Sequence, residues 1–364
     1  MKIIHCSDLH LDSPMRYLTA EKARVRRAEL FQAFSDTLAF AREHSVRAVL
    51  VAGDLFDSDS VSISVKKSVE DLIRAYGDIL FFYVSGNHDF KSGFFENDAP
   101  KNFKTAKSGG GFFAYDLEGG VTVALIDCPP DSPAVYEGLS LDRARRNIVV
   151  MHGEASEYLK KDGAATVRLA YLRERNIDYL ALGHYHDFFA ARLDGRGEYV
   201  YSGCLAGRGF DECGQKGFVL LDIDEKGVLS QSFVPLAGGR EFFTVEAVIT
   251  GCGSMYAVEA AALSALNGIA PQNAVKVVLT GRAHKGLRKD LRALGEQLSR
   301  RFFFAKVADE SRLDVSIAEY EGDVSLKGEF VRLVLRSDLD EREKEEIAAC
   351  GLRYLEESSA SSEG

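Results

Sequence analysis

"IDYLALGHYHD", residues 177–187, is the stretch on which the reading of this chain turns. An apolar run with the look of a buried strand ends in two histidines, His184 and His186, one residue apart. Side chains two apart in an extended chain point to the same side, so both imidazoles leave the strand end in one direction. Metal ligands do this, and so do two solvated rings in a loop. What else in the chain ends in the same manner decides between them.

Working outward, residues 1 to about 236 alternate short apolar runs with amphipathic stretches. The strand candidates are "KIIHC" (2–6), "RAVLVAG" (47–53), "ILFFYVSG" (79–86), "VTVALID" (121–127), "NIVVMHG" (147–153), "DYLALGH" (178–184), "EYVYSG" (198–203) and "GFVLLDI" (217–223). Helix candidates lie at 19–44, 62–77 and 166–176. Strands alternating with helices imply βαβ units and a largely parallel core. The later strands lack long intervening helices, which implies a second sheet packed on the first and an α/β sandwich. In "PLAGGREFF" (235–243) a Pro and a Gly pair precede a new pattern, so a boundary is expected there. Beyond it, strands at 242–250, 274–281 and 302–309 alternate with helices at 254–266 and 285–302. The spacing thus predicts domains at 1–238 and 239–325, then a strand/helix segment at 326–364. In that last segment a helix over 340–357 carries Ile347, Cys350, Gly351, Tyr354 and Leu355 on one face, and "SSASSEG" forms a solvated tail.

The composition, 46% apolar and 27% charged over 364 residues, is that of an ordinary globular protein. No apolar stretch approaches the roughly 20 residues that cross a bilayer. The start reaches Asp8 too soon for a secretory apolar region, and six cysteines without a CxxC pair read as free thiols. A cytoplasmic protein is expected. The formal charge of −10 argues against wrapping nucleic acid by bulk electrostatics. Carboxylates neutralised by bound metal are part of that figure, and local basic patches are hidden in it.

Five clusters close or follow strand candidates: Asp8 and His10 in "SDLH", Asp54 and Asp57 in "GDLFD", Asn87 and His88 in "GNHD", His152 in "MHGE", and the pair in "GHYH". Taken singly, each reads as a turn or a cap. Together, each at a strand end, they fall where open α/β sheets bind ligands. Carboxylate, imidazole and side-chain amide suit Mn2+, Fe2+ or Zn2+ better than an all-oxygen or a thiolate site would. The donors exceed what one catalytic ion needs. Two ions sharing a carboxylate account for the surplus, and such a pair clamps the oxygens of a phosphoester.

In order and rough spacing, these five motifs resemble those of the calcineurin-like metallophosphoesterases. Within that superfamily the chain resembles the Mre/SbcD class of DNA double-strand-break repair nucleases, and "CSDLHLDSP" (6–14) and "YSGCLAGRGFDECGQKGF" (201–218) are similar to its bacterial YhaO-like branch. The resemblance implies a four-layer α/β/β/α sandwich with a smaller C-terminal α+β capping domain. It also implies roles for the residues. Asp8, His10 and His186 would bind a first metal, Asn87, His152 and His184 a second, and Asp54 both. His88 would face the scissile phosphate with Asp89 orienting it, and Asp57 would stand behind the ligands. The two ions would most simply be Mn2+, with Fe2+ or Zn2+ as alternatives. The partners implied are DNA and an SbcC-like coiled-coil ATPase, with a homodimer also open, and the setting is the nucleoid rather than a membrane.

Basic residues weigh against the negative total. Arg282, Lys285, Arg288, Lys289, Arg292, Arg300 and Arg301 surround the helix at 285–302, and Lys91, Lys101, Lys104 and Lys107 follow "GNHD". Phosphate contacts and an ordinary solvated face are both open readings. Arg208 in "GRGFDE" either touches substrate or pairs with Asp211 or Glu212. Two other functions compete with the nuclease. A small-molecule phosphodiesterase shares the metal motifs. A non-catalytic regulatory subunit is disfavoured by the surplus of ligands. "GDLFDSD" and "GNHD" also depart from the GDxxDRG and GNHE usual in phosphoprotein phosphatases.

Overall fold

The computed structural model describes residues 1–92, 94, 99–106, 112–127, 136, 138–157, 166–284, 286–313, 320 and 323–360. Two units divide the chain, Met1–Glu241 and Phe242–Gly364.

The described strands of the first unit are, in chain order, β1 (Lys2–Cys6), β2 (Val46–Ala52), β3 (Leu80–Val84), β4 (Phe103–Thr105), β5 (Phe112–Leu117), β6 (Val121–Ile126), β7 (Arg146–His152), β8 (Glu154–Ser156), β9 (Thr166–Arg168), β10 (Tyr179–Gly183), β11 (Phe189–Arg192), β12 (Glu198–Tyr201), β13 (Gly217–Ile223) and β14 (Leu229–Pro235). Twelve of them sort into two six-stranded sheets, ordered β14-β13-β1-β2-β3-β4 and β11-β12-β10-β7-β6-β5, and β8 pairs with β9 alone. β1 to β4 run parallel, as do β6, β7, β10 and β12, while β13, β14, β5 and β11 run antiparallel to their neighbours.

The central strands are apolar on both faces, and burial on both faces makes them so. Ile3, Leu50, Ala52, Phe82 and Val84 of the first sheet meet Val123, Leu125, Ile148, Val150, Ala181 and Val200 of the second in one buried cluster. On the far side of the second sheet, Ala124, Val149, Met151, Leu180 and Leu182 pack under Tyr136, Leu139, Leu141, Leu169 and Leu172. The far side of the first sheet is covered by helix α1 (Ala20–Glu43), which begins where Thr19 accepts a hydrogen bond from Lys22 N. Its buried residues Ala23, Arg26, Leu30, Phe34, Leu38 and Ala41 follow the helical period. Helix α2 (Ile63–Ala75) buries Val69 and Ile73. The expected α/β/β/α sandwich is present, and its fourth layer is thin. The helix expected over 166–176 is instead strand β9 followed by the four-residue helix α3 (Leu169–Leu172). β9 pairs with β8, and positive φ at Glu174 and Asn176 turns the chain before a longer helix can grow.

In the second unit β15 (Phe242–Val248), β16 (Ala274–Thr280) and β18 (Phe304–Asp309) form a parallel sheet, and β17 (Arg282–Ala283) pairs with β19 (Arg312–Leu313). Helices α4 (Met255–Ala265) and α5 (Leu291–Arg301) pack Val258, Ala262, Leu294 and Leu298 into its core. α5 starts later than the 285 expected, because Asp290 caps it by accepting from Ala293 N at 2.9 Å. The strand/helix expectation for 326–364 is corrected to two helices, α6 (Leu326–Leu335) and α7 (Glu341–Ala360). α7 runs through the first residues expected to be tail, and residues 361–364 lie outside the described ones. It packs through Ala348 and Leu352, whereas Ile347, Cys350 and Tyr354 are exposed. No described helix is long and apolar enough to cross a membrane.

A polar pair sits in the core between the sheets. His5 of β1 is fully buried, and its Nδ1 lies 2.9 Å from Tyr179 Oη of β10. Burial lowers this imidazole to about 3, against an ordinary 6.5. A depressed base contributes stability that is present above 6.5 and lost as pH falls toward 3, because only the unfolded chain takes up the proton. Urea melts should therefore show about 2 kcal/mol less stability at pH 5 than at pH 7.5 from this group. His5→Asn should remove that part of the slope, and an unchanged slope would assign the acid sensitivity elsewhere.

Candidate metal centre

β1, β2, β3, β7 and β10 end together, and the chain leaves each end abruptly. Asp8, His10, Asp54 and His184 all have positive φ, at 53, 44, 49 and 103°. Non-glycine residues seldom accept that conformation, and it gathers at functional sites. Two glycines let the sheets meet here. A Cβ on Gly183 would lie 1.9 Å from Ala52 O, and one on Gly53 2.2 Å from His152 Nδ1.

The expected ligands converge in two groups about one carboxylate. Asp54 Oδ2 lies 3.7 Å from His10 Nε2 and 3.5 Å from His152 Nε2. On one side His10 Nε2 is 3.4 Å from His186 Nε2, and Asp8 Oδ1 is 3.8 Å from that same nitrogen. On the other side Asn87 Oδ1 faces His152 Nε2 at 2.9 Å and His184 Nδ1 at 3.2 Å. Backbone groups fix the acids: His184 N donates to Asp8, and His88 N donates to Asp54 Oδ1 at 2.9 Å. Asp8, Asp54, His10 and His152 are buried, whereas Asn87 is exposed.

Three of the imidazoles have an acceptor oxygen behind them. His152 Nδ1 donates to Ala52 O at 2.9 Å, His186 Nδ1 meets Glu212 Oε1 at 2.7 Å, and His10 Nδ1 is 3.3 Å from Asp57 Oδ1. Such outer contacts set the tautomer and aim the other nitrogen inward. Burial lowers the His10 and His184 imidazoles, which favours the neutral form that binds metal. Burial also pushes the Glu212 carboxyl up, but His186 and Arg208 overcome it and hold the group well below the usual carboxylate range.

Arg208 is where one of its two open readings placed it, in an ion pair. Its Nη1 donates to Asp57 Oδ1 at 2.6 Å and its Nη2 to Glu212 Oε1 at 2.7 Å. Glu212, rather than Asp211, is the partner. Sequence reasoning missed Asp127: it follows β6 and accepts from Ser85 N and Oγ at 2.9 and 2.5 Å, tying down the "GNHD" loop. His88 is exposed at the rim, with its Nδ1 3.0 Å from Asp57 O and its ring centroid 4.9 Å from that of His10. The expectation that Asp89 orients His88 is corrected. Asp89 turns inward and accepts from Gly86 N, Phe56 N and Tyr83 Oη at 2.8, 3.1 and 2.9 Å, so it shapes the loop. Burial and the nearby Asp54 charge raise its carboxyl to about 6.

Of the basic residues, Lys91 is exposed two residues past Asp89. Lys104 is the middle residue of the edge strand β4, opposite Phe82. Arg282, Lys289 and Arg292 pair with Glu345, Asp309 and Glu296. Lys107 and Lys285 lie outside the described residues.

Residues 1–188 match the model of the calcineurin-like phosphoesterase family. The chain belongs to that family. Among curated relatives it is 26% identical to the DNA double-strand break repair protein Mre11 of Methanosarcina acetivorans, over 69% of this chain and 41% of that protein. It is 25% identical to the SbcD component of nuclease SbcCD from Staphylococcus epidermidis, over 68% of this chain and 72% of that one. With the metallophosphoesterase YhaO of Bacillus subtilis it shares 29% identity, over 61% of this chain and 57% of that one. The chain thus spans about four tenths of the Methanosarcina relative.

Calcineurin-like phosphoesterases use a dinuclear metal site, and the donors here fit one. With Nδ1–H committed to Ala52, His152 presents a lone pair at Nε2 to the oxygen of Asn87, 2.9 Å away. A cation lying against both would satisfy the two lone pairs at once. Asp8, His10 and His186 form one candidate ligand group, and Asp8, Asp54 and His152 another.

The contact between the sheets is testable. Gly183→Ala sets a methyl group against backbone, so unfolding free energy should fall by roughly 1–3 kcal/mol. Elemental analysis after loading should show depleted metal. A variant with wild-type stability and metal content would mean the close approach is dispensable.

Proposed function

We propose that this chain is a metal-dependent DNA nuclease of the SbcD type, an exonuclease on double-stranded ends and an endonuclease on single strands. The observation that carries this reading is the placement of Asp54 Oδ2 between the Nε2 atoms of His10 and His152, each backed by its own outer contact. Relatives named for double-strand break repair and for nuclease SbcCD support DNA as substrate. Asp8, His10 and His186 would hold one divalent ion, Asn87, His152 and His184 the other, and Asp54 would serve both. Bound there, Mn2+ (or Fe2+ or Zn2+) supplies Lewis-acid polarisation of phosphoryl oxygen and of water.

The side chains do the rest. His88 offers an exposed imidazole whose Nδ1 donates to Asp57 O and whose Nε2 faces outward, where only the doubly protonated ring donates to the phosphate or the departing oxygen. Asp57 holds His10, and Asp89 keeps the His88 loop in its turn. Lys91, exposed beside that loop, meets the DNA backbone. A chain of charge −10 takes much of its DNA grip from a partner, an SbcC-like coiled-coil ATPase in the nucleoid. Exposed Ile347 and Tyr354 on α7 give that partner an apolar stripe.

Purified protein with Mn2+ should degrade linear duplex and cut single-stranded DNA. His88→Ala should lower cleavage at least about 100-fold, with the metal content by elemental analysis unchanged. Efficient hydrolysis of a chromogenic phosphodiester with all DNA left intact, even with the ATPase present, would point to a small-phosphoester enzyme instead.

A further inference from the structure

The two halves of the centre are braced by different means. His152 is held by a main-chain oxygen, Ala52 O. His10 and His186 are held by the carboxylates of Asp57 and Glu212, and one guanidinium joins those carboxylates. Arg208 reaches Asp57 Oδ1 through Nη1 at 2.6 Å and Glu212 Oε1 through Nη2 and Nε at 2.7 and 3.1 Å. Its own main-chain N donates to Glu212 Oε2 at 2.6 Å. The loop that carries it is pinned to the first sheet's helix side: Arg26, 1% exposed, donates twice to Gly207 O, and Tyr17 Oη donates to Arg208 O.

We infer that Arg208 is a positioning residue for one metal position only, the one framed by Asp8, His10 and His186. The inference rests on the two-metal reading above and adds an asymmetry to it. A fork of two donors holds two carboxylates at a fixed separation, which a flexible ammonium cannot do. Without it, buried Glu212 and Asp57 lose their shared cation and repel, and the imidazoles they aim lose their direction. Simple Coulomb reasoning gives the opposite sign, since removing a positive charge near a cation site should tighten it. The two accounts are therefore separable.

The test is calorimetric titration of the full chain with Mn2+, with electron paramagnetic resonance on the same samples. Wild type should take two ions and show the signal of a spin-coupled pair. Arg208→Gln should weaken one position roughly 10–100-fold while the other stays within about twofold, and at one equivalent the signal should become that of isolated Mn2+. Arg208→Lys should fall between them. Unchanged or tighter binding at both positions, or equal weakening of both, overturns the inference. If wild type itself takes fewer than two ions, the two-metal reading fails and takes this inference with it. Should Arg208→Gln not fold, Glu212→Gln removes one arm with nearly the same shape and reads the same position.

Discussion

The structure depends on how closely β2 and β10 approach at their carboxyl ends. Along most of their length the sheets stand apart by a layer of interlocked side chains, near the usual 10 Å. At Gly53 and Gly183 that layer vanishes, since a methyl group on either would fall within 2.2 Å of an atom of the other sheet. Only through this closure can the His152 imidazole of the second sheet bond a main-chain oxygen of the first. Donors from two sheets then serve a single pocket, with Asp54 at the seam.

The same closure sets up an internal tension. Four of the converging residues hold their backbones in a left-handed conformation, at a cost of about 1–3 kcal/mol each where the surroundings enforce it. Two buried carboxylates, Asp8 and Asp54, face each other's fields with 1% and 2% exposure. Hydrogen bonds from His184 N and His88 N offset part of this. The rest is what a divalent cation relieves, so strain in the fold and affinity for metal are two views of one arrangement.

Much of this was legible in the amino-acid order, for a local reason. β10 is apolar throughout and β2 from Ala48 to Ala52 because both faces are covered there, and the ligands cluster at the ends of such runs, so strand end and ligand could be read together. What escaped depends on distant partners. β5, β11 and β14 carry only half-buried patterns that edge pairing completes. The stretch 166–176 has a helical period, yet pairing of Val167 with Ala155 claims its start for a strand. The acid next to His88 looked like its orienter, but three donors from Gly86, Phe56 and Tyr83 draw Asp89 the other way. Between Asp211 and Glu212 no local rule chooses, because the choice is made by where Arg208 and His186 stand in space.

Asp8 and His184, which bond directly, are separated by 176 positions. A nascent chain that has emerged only through "GNHD" owns Asp8, His10, Asp54, Asn87 and His88 of the site, with no opposing sheet to press them into register. Small zinc modules begin folding around their ion, but here that order is closed off, because the pocket exists only after the longest loops have been joined. A cation therefore finds its full set of donors only once Met1–Glu241 has folded, and a shorter fragment offers only part of the pocket.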